Sequence, residues 1–409
     1  MTFKPSATPV GPVSVHDVIV AGRGAIGCAA ALGLAQAGLR VALAGPPVAA
    51  EPTPPDDWDA RIYALSPASR ALLERLRVWQ ALDADRVAAV RDMRIYPNAG
   101  PSAPELHFDA ESAQTEALAF TLENRNLMQA LDRGLGFAGV QVFGQRVVAV
   151  DPFADRIEVV LDDGARLSAR LLVAADGAQS PVRGLLGMTA DAFEYPQRAV
   201  VANFETAHLP SDCAYQWFGD HGILALLPLP GQRCSIVWSA PPALADELMA
   251  LDPPALAARV SQVSQYALGE LRATEPARCH RLHRVIAEHM AGPRAVLLGD
   301  AAHVVHPLAG QGMNLGLGDV GELLAVITAR EPFRDLGERL LLRRYERARR
   351  EPVLAMKWTT DGLQRLFDPE QQPGLPPLLQ PLRAVRELGW QAVAATGWLR
   401  RRLIRHAVS

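Results

Sequence analysis

Lysine is almost absent from this 409-residue chain: Lys4 and Lys357 are the only two, so its positive charge is carried almost wholly by arginine. Cysteine is scarce as well. Cys28, Cys213, Cys234 and Cys279 form no CxxC pair, which excludes a disulfide-stapled scaffold and fits a reducing compartment. There is no basic excess, because 41 Lys+Arg stand against 44 Asp+Glu for a net charge of −3, and a dedicated nucleic-acid binder is excluded on that ground. No apolar run approaches the roughly 18 residues of a membrane-spanning helix. The opening MTFKPSATPVGPVSV lacks the apolar core of a secretory signal. A cytoplasmic location is therefore expected, with any membrane contact peripheral. What remains is 49% hydrophobic residues in a chain long enough for two or three domains.

Residues 16–45 read as one unit. A strand Val18-Ile19-Val20-Ala21 runs into Gly22-Arg23-Gly24-Ala25-Ile26-Gly27, an Ala-rich helix continues to Ala37, Gly38 ends it, and Arg40-Val41-Ala42-Leu43 forms a second strand. This is the β–GxGxxG–α–β order of a dinucleotide site. Gly22 permits the tight turn, Gly24 lets a pyrophosphate approach the backbone at the helix N-terminus, and Gly27 allows close helix–strand packing. The second strand should end in an acid that grips a ribose hydroxyl. It ends instead at Ala44-Gly45-Pro46-Pro47, and Glu51, Asp56 and Asp57 lie beyond a proline-rich segment. Either adenosine is held more weakly, or backbone or water serves the ribose. Arg23 faces a phosphate or stands outward in solvent.

Two more strand ends carry related signals. Residues 170–175 (RLLVAA) lead into Asp176-Gly177, and residues 295–298 (AVLL) lead into Gly299-Asp300-Ala301-Ala302-His303, followed by Pro307-Leu308-Ala309-Gly310-Gln311-Gly312-Met313-Asn314. In this order the three motifs resemble the GxGxxG, DG and GD signatures of class A flavoprotein monooxygenases, the para-hydroxybenzoate hydroxylase fold. The resemblance implies an α/β chain: a Rossmann-like FAD-binding domain with an inserted β-sheet substrate domain and a helical C-terminal tail. It places the FAD-binding domain in residues 1–76, 117–185 and 281–345, the substrate domain in 77–116 and 186–280, and the helical region in 346–409.

The same resemblance implies site roles. Gly22, Gly24, Ala25, Ile26, Gly27 and Arg61 would serve the pyrophosphate, where a bidentate cation suits the task. Asp300 would accept hydrogen bonds from ribityl hydroxyls, and Asp176 would help hold FAD and shape a groove for the reductant. Gly312, Met313 and Asn314 would turn helix N-terminal N–H groups toward the N1–O2 edge of a reduced flavin. Pro307, Gly310, Gln311 and Gly312 would surround the flavin ring, with no side-chain base assigned. Arg125 matches a flavin-side position. Structural roles stand beside these readings, a helix-capping one for Arg61 and a plain one for Arg125.

A finer pattern resembles the ubiquinone-biosynthesis hydroxylases. It lies in DARIYALSPASRALLERLRVW (59–79), ALAFTLENRNLMQAL (117–131), YPQRAVV (195–201), AYQWFGDHGILALLPLPGQRCSIVWS (214–239) and GDAAHVVHPLAGQGMNLGLGDVGEL (299–323). This implies an FAD-dependent hydroxylase of a polyprenylated phenol, with NAD(P)H as transient co-substrate, O2 as oxidant and a C4a-hydroperoxyflavin as the oxygen donor. Residues 222–229 and 233–239 are strand-like around a Pro-Gly turn and predict a β-hairpin. Tyr215, Gln216, Phe218, Leu226 and Pro228 are the candidates for lining the substrate pocket, with core packing as the alternative for each. Two other functions stay open: the same chemistry on a soluble aromatic acid, and a non-catalytic subunit of a membrane-associated biosynthetic complex.

No metal site is expected. His280 with His283, and His303 with His306, have helical spacing but lack the companion ligands of zinc sites. The charge is unevenly spread: residues 330–409 carry a net +7 and the rest −10. The tail VRELGWQAVAATGWLRRRLIRHAVS mixes Trp390, Trp398, Leu399, Leu403 and Ile404 with Arg400, Arg401, Arg402 and Arg405, the composition of an interfacial helix. An anionic membrane surface, other ubiquinone-biosynthesis proteins, or packing against the body are its possible partners.

Overall fold

The buried run Val18–Ala21 and its equally buried neighbours Val41–Ala44 and Leu171–Ala174 have the continuous apolar character of strands covered on both faces. In a computed structural model, which describes residues 14–47, 58–96, 105–208, 212–219, 221–306 and 311–367, they form the centre of a six-stranded sheet. Its order is Ala291–Gly292, Ala295–Leu297, Leu171–Ala174, Val18–Ala21, Val41–Ala44 and Gln141–Phe143. All neighbours are parallel except the first pair. The three strands that carry motifs are thus adjacent and point the same way. Turns far apart in sequence emerge side by side at one carboxyl edge, the usual ligand-binding edge of such sheets.

The helix Ala25–Gln36 covers this sheet and stops at Gly38, whose φ of +83° no β-branched residue would tolerate. A four-stranded sheet of Ser14–Val15, Val147–Pro152, Ile157–Leu161 and Arg166–Ala169 flanks it. A three-stranded antiparallel sheet joins Ile62–Leu65, Ala119–Glu123 and Val87–Val90. The helices Gln311–Thr328 and Arg339–Phe367 pack together, and the buried Tyr345 hydroxyl donates to Leu297 O at 2.8 Å, which pins the second helix to the sheet.

The second body is a nine-stranded sheet built on Ala190–Thr206. The predicted hairpin is present as Gly222–Leu229 and Arg233–Ala240, antiparallel throughout. Helices Pro242–Ala250 and Pro253–Val263 cover one face, where Trp238, Phe204, Ile236, Leu248 and Val260 form a separate core. Strand Arg278–Ala287 also pairs with Ala190–Thr206 and then with His303–Val304, so it leads the chain from one body to the other. A boundary at residue 281 falls inside this strand, and one at 345/346 falls inside helix Arg339–Phe367. Hydrogen-bonded elements here run through the points where composition changes. Val87–Val90 pairs with the small sheet, whereas Asp92–Tyr96 and Leu106–Asp109 belong to the large one.

Residues 368–409, which hold the arginine and tryptophan tail, lie outside the described residues.

Candidate functional site

The three motifs pack directly on one another. A Cβ on Gly22, whose φ is +111°, would lie 2.1 Å from Ala175 O, so the first glycine turn is pressed against the DG segment. Ile26 fills the space between Gly299 and Gly316, reaching within 3.2 Å of the Cβ position of one and 2.8 Å of that of the other. A Cβ on Gly27 would meet Gly22 O at 1.9 Å, which is the close packing its position predicts. At Gly24 and Gly312, by contrast, a Cβ would meet no atom of the described residues within 4 Å. These two glycines, at the starts of the helices Ala25–Gln36 and Gln311–Thr328, leave bare backbone facing open space. Such a cradle, with free N–H groups and the positive end of a helix dipole, suits an anionic group.

Asp300 stands in the adjoining GD turn, Gly299–Ala301. Solvent reaches it, yet protein surrounds it on most sides, and this partial burial pushes its carboxyl above the usual range against the pull of His303, Arg61 and His283. No donor among the described residues satisfies it. The exposed Arg61 guanidinium stands 5.5 Å from the centre of the Tyr63 ring and likewise forms no ion pair there. An open acceptor and an open cation near enough to feel each other, beside a glycine cradle, fit a polyhydroxylated, phosphate-bearing group such as FAD. Burial, with Asp300 and Asp59, pushes the Tyr63 phenol up to about 12 against Arg61, so the hydroxyl stays protonated and donates to Asn124 Oδ1 at 3.1 Å.

Other predicted site residues organise the loops. Asp176 accepts from Ser180 Oγ and from Val182 N at 3.0 Å, and so caps the short helix Pro181–Leu185. Arg183 then donates to Ala301 O at 2.8 Å and to Ala178 O at 3.1 Å, which locks the DG segment to the GD segment. Asn314 accepts from Ser66 N at 2.8 Å and Ser69 Oγ at 2.7 Å and donates to Ala64 O at 2.9 Å. Its side chain is spent joining its helix to the small sheet. Arg125 N donates to Asp59 Oδ2 at 3.1 Å, and the Arg125 guanidinium pairs with buried Glu123 at 3.4 Å. Glu123 also holds Arg86 and, at 2.6 Å, Asp59 N. Pro307 and Gly310 lie outside the described residues. Met313, partly buried, packs against the core of the sheet.

The pocket candidates divide by strand parity. Tyr215 and Trp217 stack with ring centres 5.7 Å apart, Trp217 stacks on Tyr96 at 5.4 Å, and Leu226 is buried with them on the helix-covered side. Pro228 shares that parity. Gln216 and Phe218 lie on the opposite face, with Ile223, Ala225, Leu227 and Val237. This face turns toward the GD segment: Val237 packs with Tyr195, Ala199 and Leu282, and Tyr195 meets the His306 ring edge-on at 4.8 Å. Asn203, on the same parity as Ala199, donates to Asp59 O at 3.1 Å. Sequence reasoning missed Ala225, Leu227, Val201 and Val237. Alternation along the hairpin was the available signal, but the face that looks inward could be chosen only once the covering helices were placed.

Among the described residues no group of three or more His, Cys, Asp or Glu side chains could hold a metal.

A family model described as an FAD binding domain matches residues 15–358. Ubiquinone hydroxylase UbiL of Rhodospirillum rubrum is 34% identical over 417 residues, covering 99% of this chain and 92% of its own. The 3-demethoxyubiquinol 3-hydroxylase of Escherichia coli is 32% identical over 399 residues, covering 96% and 98%. Among solved structures, Klebsiella pneumoniae HpxO complexed with FAD and uric acid superposes with a TM-score of 0.73 over 96% of each chain at 20% identity, a likeness of fold.

Proposed function

The chain belongs to the FAD-binding-domain family of flavoprotein monooxygenases, and from that premise we propose that it hydroxylates the aromatic ring of a polyprenylated phenol in ubiquinone biosynthesis. The observation that carries the reading is the meeting of the three motif turns beneath one face of the large sheet. When bound, FAD reduced by NAD(P)H supplies the oxygen-transfer chemistry with O2.

The chain's own part is binding, orientation and exclusion of water. Gly24 and the helix N-terminus behind it would take the pyrophosphate, with Arg61 as counter-charge. Asp300 would accept hydrogen bonds from ribityl hydroxyls. The N–H groups of Gly312 and Met313 would face negative charge developing on the reduced ring. Val201, Ala225, Leu227 and Val237 offer an apolar roof that would keep water from the reacting atoms. The same surface favours a prenylated phenol over a soluble aromatic acid, which would call for an arginine to meet its carboxylate. Arg233, at the far end of this face, is engaged over the Trp58 ring at 5.9 Å. A non-catalytic role is set aside, because the relatives that cover nearly the whole chain are hydroxylases by name.

No helix among the described residues is long and apolar enough to cross a membrane. A lipid-tailed substrate is reached most simply from the membrane surface, and the net charge of +7 over residues 330–409 suits anionic lipid on the inner face of the cytoplasmic membrane. Mass-spectrometric profiling of quinone intermediates in a strain lacking this protein tests the reaction. An accumulated prenylated phenol is expected, and an unchanged profile would overturn the assignment.

A further inference from the structure

The acid that a Rossmann unit carries at the end of its second strand has no room here. Gly45 has a φ of +152°, and a Cβ on it would stand 3.0 Å from Arg23 N and 3.5 Å from Arg23 Cβ. The backbone of Gly22 and Arg23 crowds that position, so with its positive φ the strand end takes glycine and the acid must come from elsewhere.

Arg23 does not point freely into solvent. Its Nη2 lies 3.2 Å from Asp132 Oδ1, on the helix Asn124–Phe137, with the two side chains 23% and 45% exposed. Asp132 Oδ2 has no partner among the described residues. The carboxylate also sits close to the phosphate-binding end of helix Ala25–Gln36. Burial pushes the Cys28 thiol up to about 12, and Asp132 adds to that rise while Arg23 opposes it. An accessible carboxylate with one oxygen held by arginine and the other open can do what the strand-end acid does elsewhere, which is to accept hydrogen bonds from ribose hydroxyls.

We propose that Asp132, oriented by Arg23, is the ribose-binding acid for the adenosine half of the dinucleotide, supplied by the neighbouring helix in place of the second strand. Arg23 offsets the repulsion that a carboxylate near the pyrophosphate would otherwise create. The assignment rests on the FAD reading and names a contact within it. As a plain surface ion pair the two residues would contribute little to stability, so an effect on cofactor selectivity separates the two roles.

The test titrates flavin-stripped, full-length protein with FAD and with an analogue whose adenosine ribose lacks its 2′- and 3′-hydroxyls. The wild type is expected to prefer FAD by about tenfold, the scale of a hydrogen bond to a charged group. Asp132→Ala should bind both flavins alike, near the analogue's affinity, with its thermal midpoint little changed. Should that variant fail to fold, Asp132→Asn carries the same expectation, since a neutral amide loses the charge-assisted bond. Discrimination retained in the variant, or absent from the wild type, overturns the assignment. So does an equal loss of both flavins with a fallen midpoint, which marks a structural staple. A wild type that takes up neither flavin would instead strike the FAD reading itself.

Discussion

His303 Nε2 lies 2.7 Å from Asp319 Oδ2, with the two side chains 1% and 0% exposed. Asp319 also accepts from Gly299 N at 2.8 Å and Arg349 Nε at 2.7 Å. One buried carboxylate therefore joins the GD turn, the strand that follows it and the C-terminal helix. Arg349 adds a bond to Leu315 O at 3.0 Å.

Removing that carboxylate leaves a buried arginine without its counter-charge. Asp319→Ala is expected to cost about 3–5 kcal/mol of unfolding free energy, measured by urea denaturation. A loss below about 1 kcal/mol would mean that solvent already reaches Arg349.

The same carboxylate sets a pH dependence. Burial pushes Asp319 up, but His303, Arg349 and the Gly299 N–H outweigh it and hold the group below its ordinary range. A folded pKa below the unfolded one adds stability that is present above the unfolded pKa and lost as pH falls through the folded one. The urea midpoint of the wild type should drop as pH falls from about 5 to 2, more steeply than that of Asp319→Asn. Parallel slopes would mean that Asp319 is not held below its ordinary range in the folded protein.

Asp300→Ala should abolish retention of FAD through purification, because the open acceptor of the GD turn disappears while the neighbouring hydrogen bonds stay in place. The flavin-to-protein absorbance ratio measures this. A ratio equal to that of the wild type would refute the role.

Ala225→Trp fills the inward face of the hairpin. It should lower kcat/KM for a prenylated phenol by at least about tenfold at unchanged flavin content. Tyr215→Ala, on the helix-covered face, should instead lower stability by about 2 kcal/mol and leave KM alone. The opposite pattern in a paired kinetic and denaturation comparison would reverse the assignment of faces.

Truncation after Leu382 removes Trp390, Trp398 and six arginines, Arg383, Arg386, Arg400, Arg401, Arg402 and Arg405. Co-sedimentation with anionic vesicles should weaken while binding to neutral vesicles changes little. Equal sedimentation of both forms would dismiss the membrane surface as partner.

Much of the nucleotide-binding half was legible because its signals are local. Gly22, Gly27 and Gly38 mark positions where backbone conformation or contact forbids a side chain, and that constraint is written in single residues. Asp176 and Asn314 stand at the strand end and helix start that the motifs predict, but their side-chain partners were not legible. Asp176 caps its own short helix and Asn314 reaches Ala64, some 250 positions away in sequence. Ion pairs such as Arg23 with Asp132 have no periodicity to betray them, since either partner could sit on any element brought near.

By itself the sequence determined the order of strands and motif turns, the hairpin and the uneven charge, because each depends on neighbours within a few residues. The tertiary structure alone decided which face of the hairpin the helices cover, which acid Arg23 meets and which buried carboxylate ties the C-terminal helix to the GD turn. Those outcomes depend on packing between elements distant in the chain. A side chain's role there is set by what occupies the space beside it.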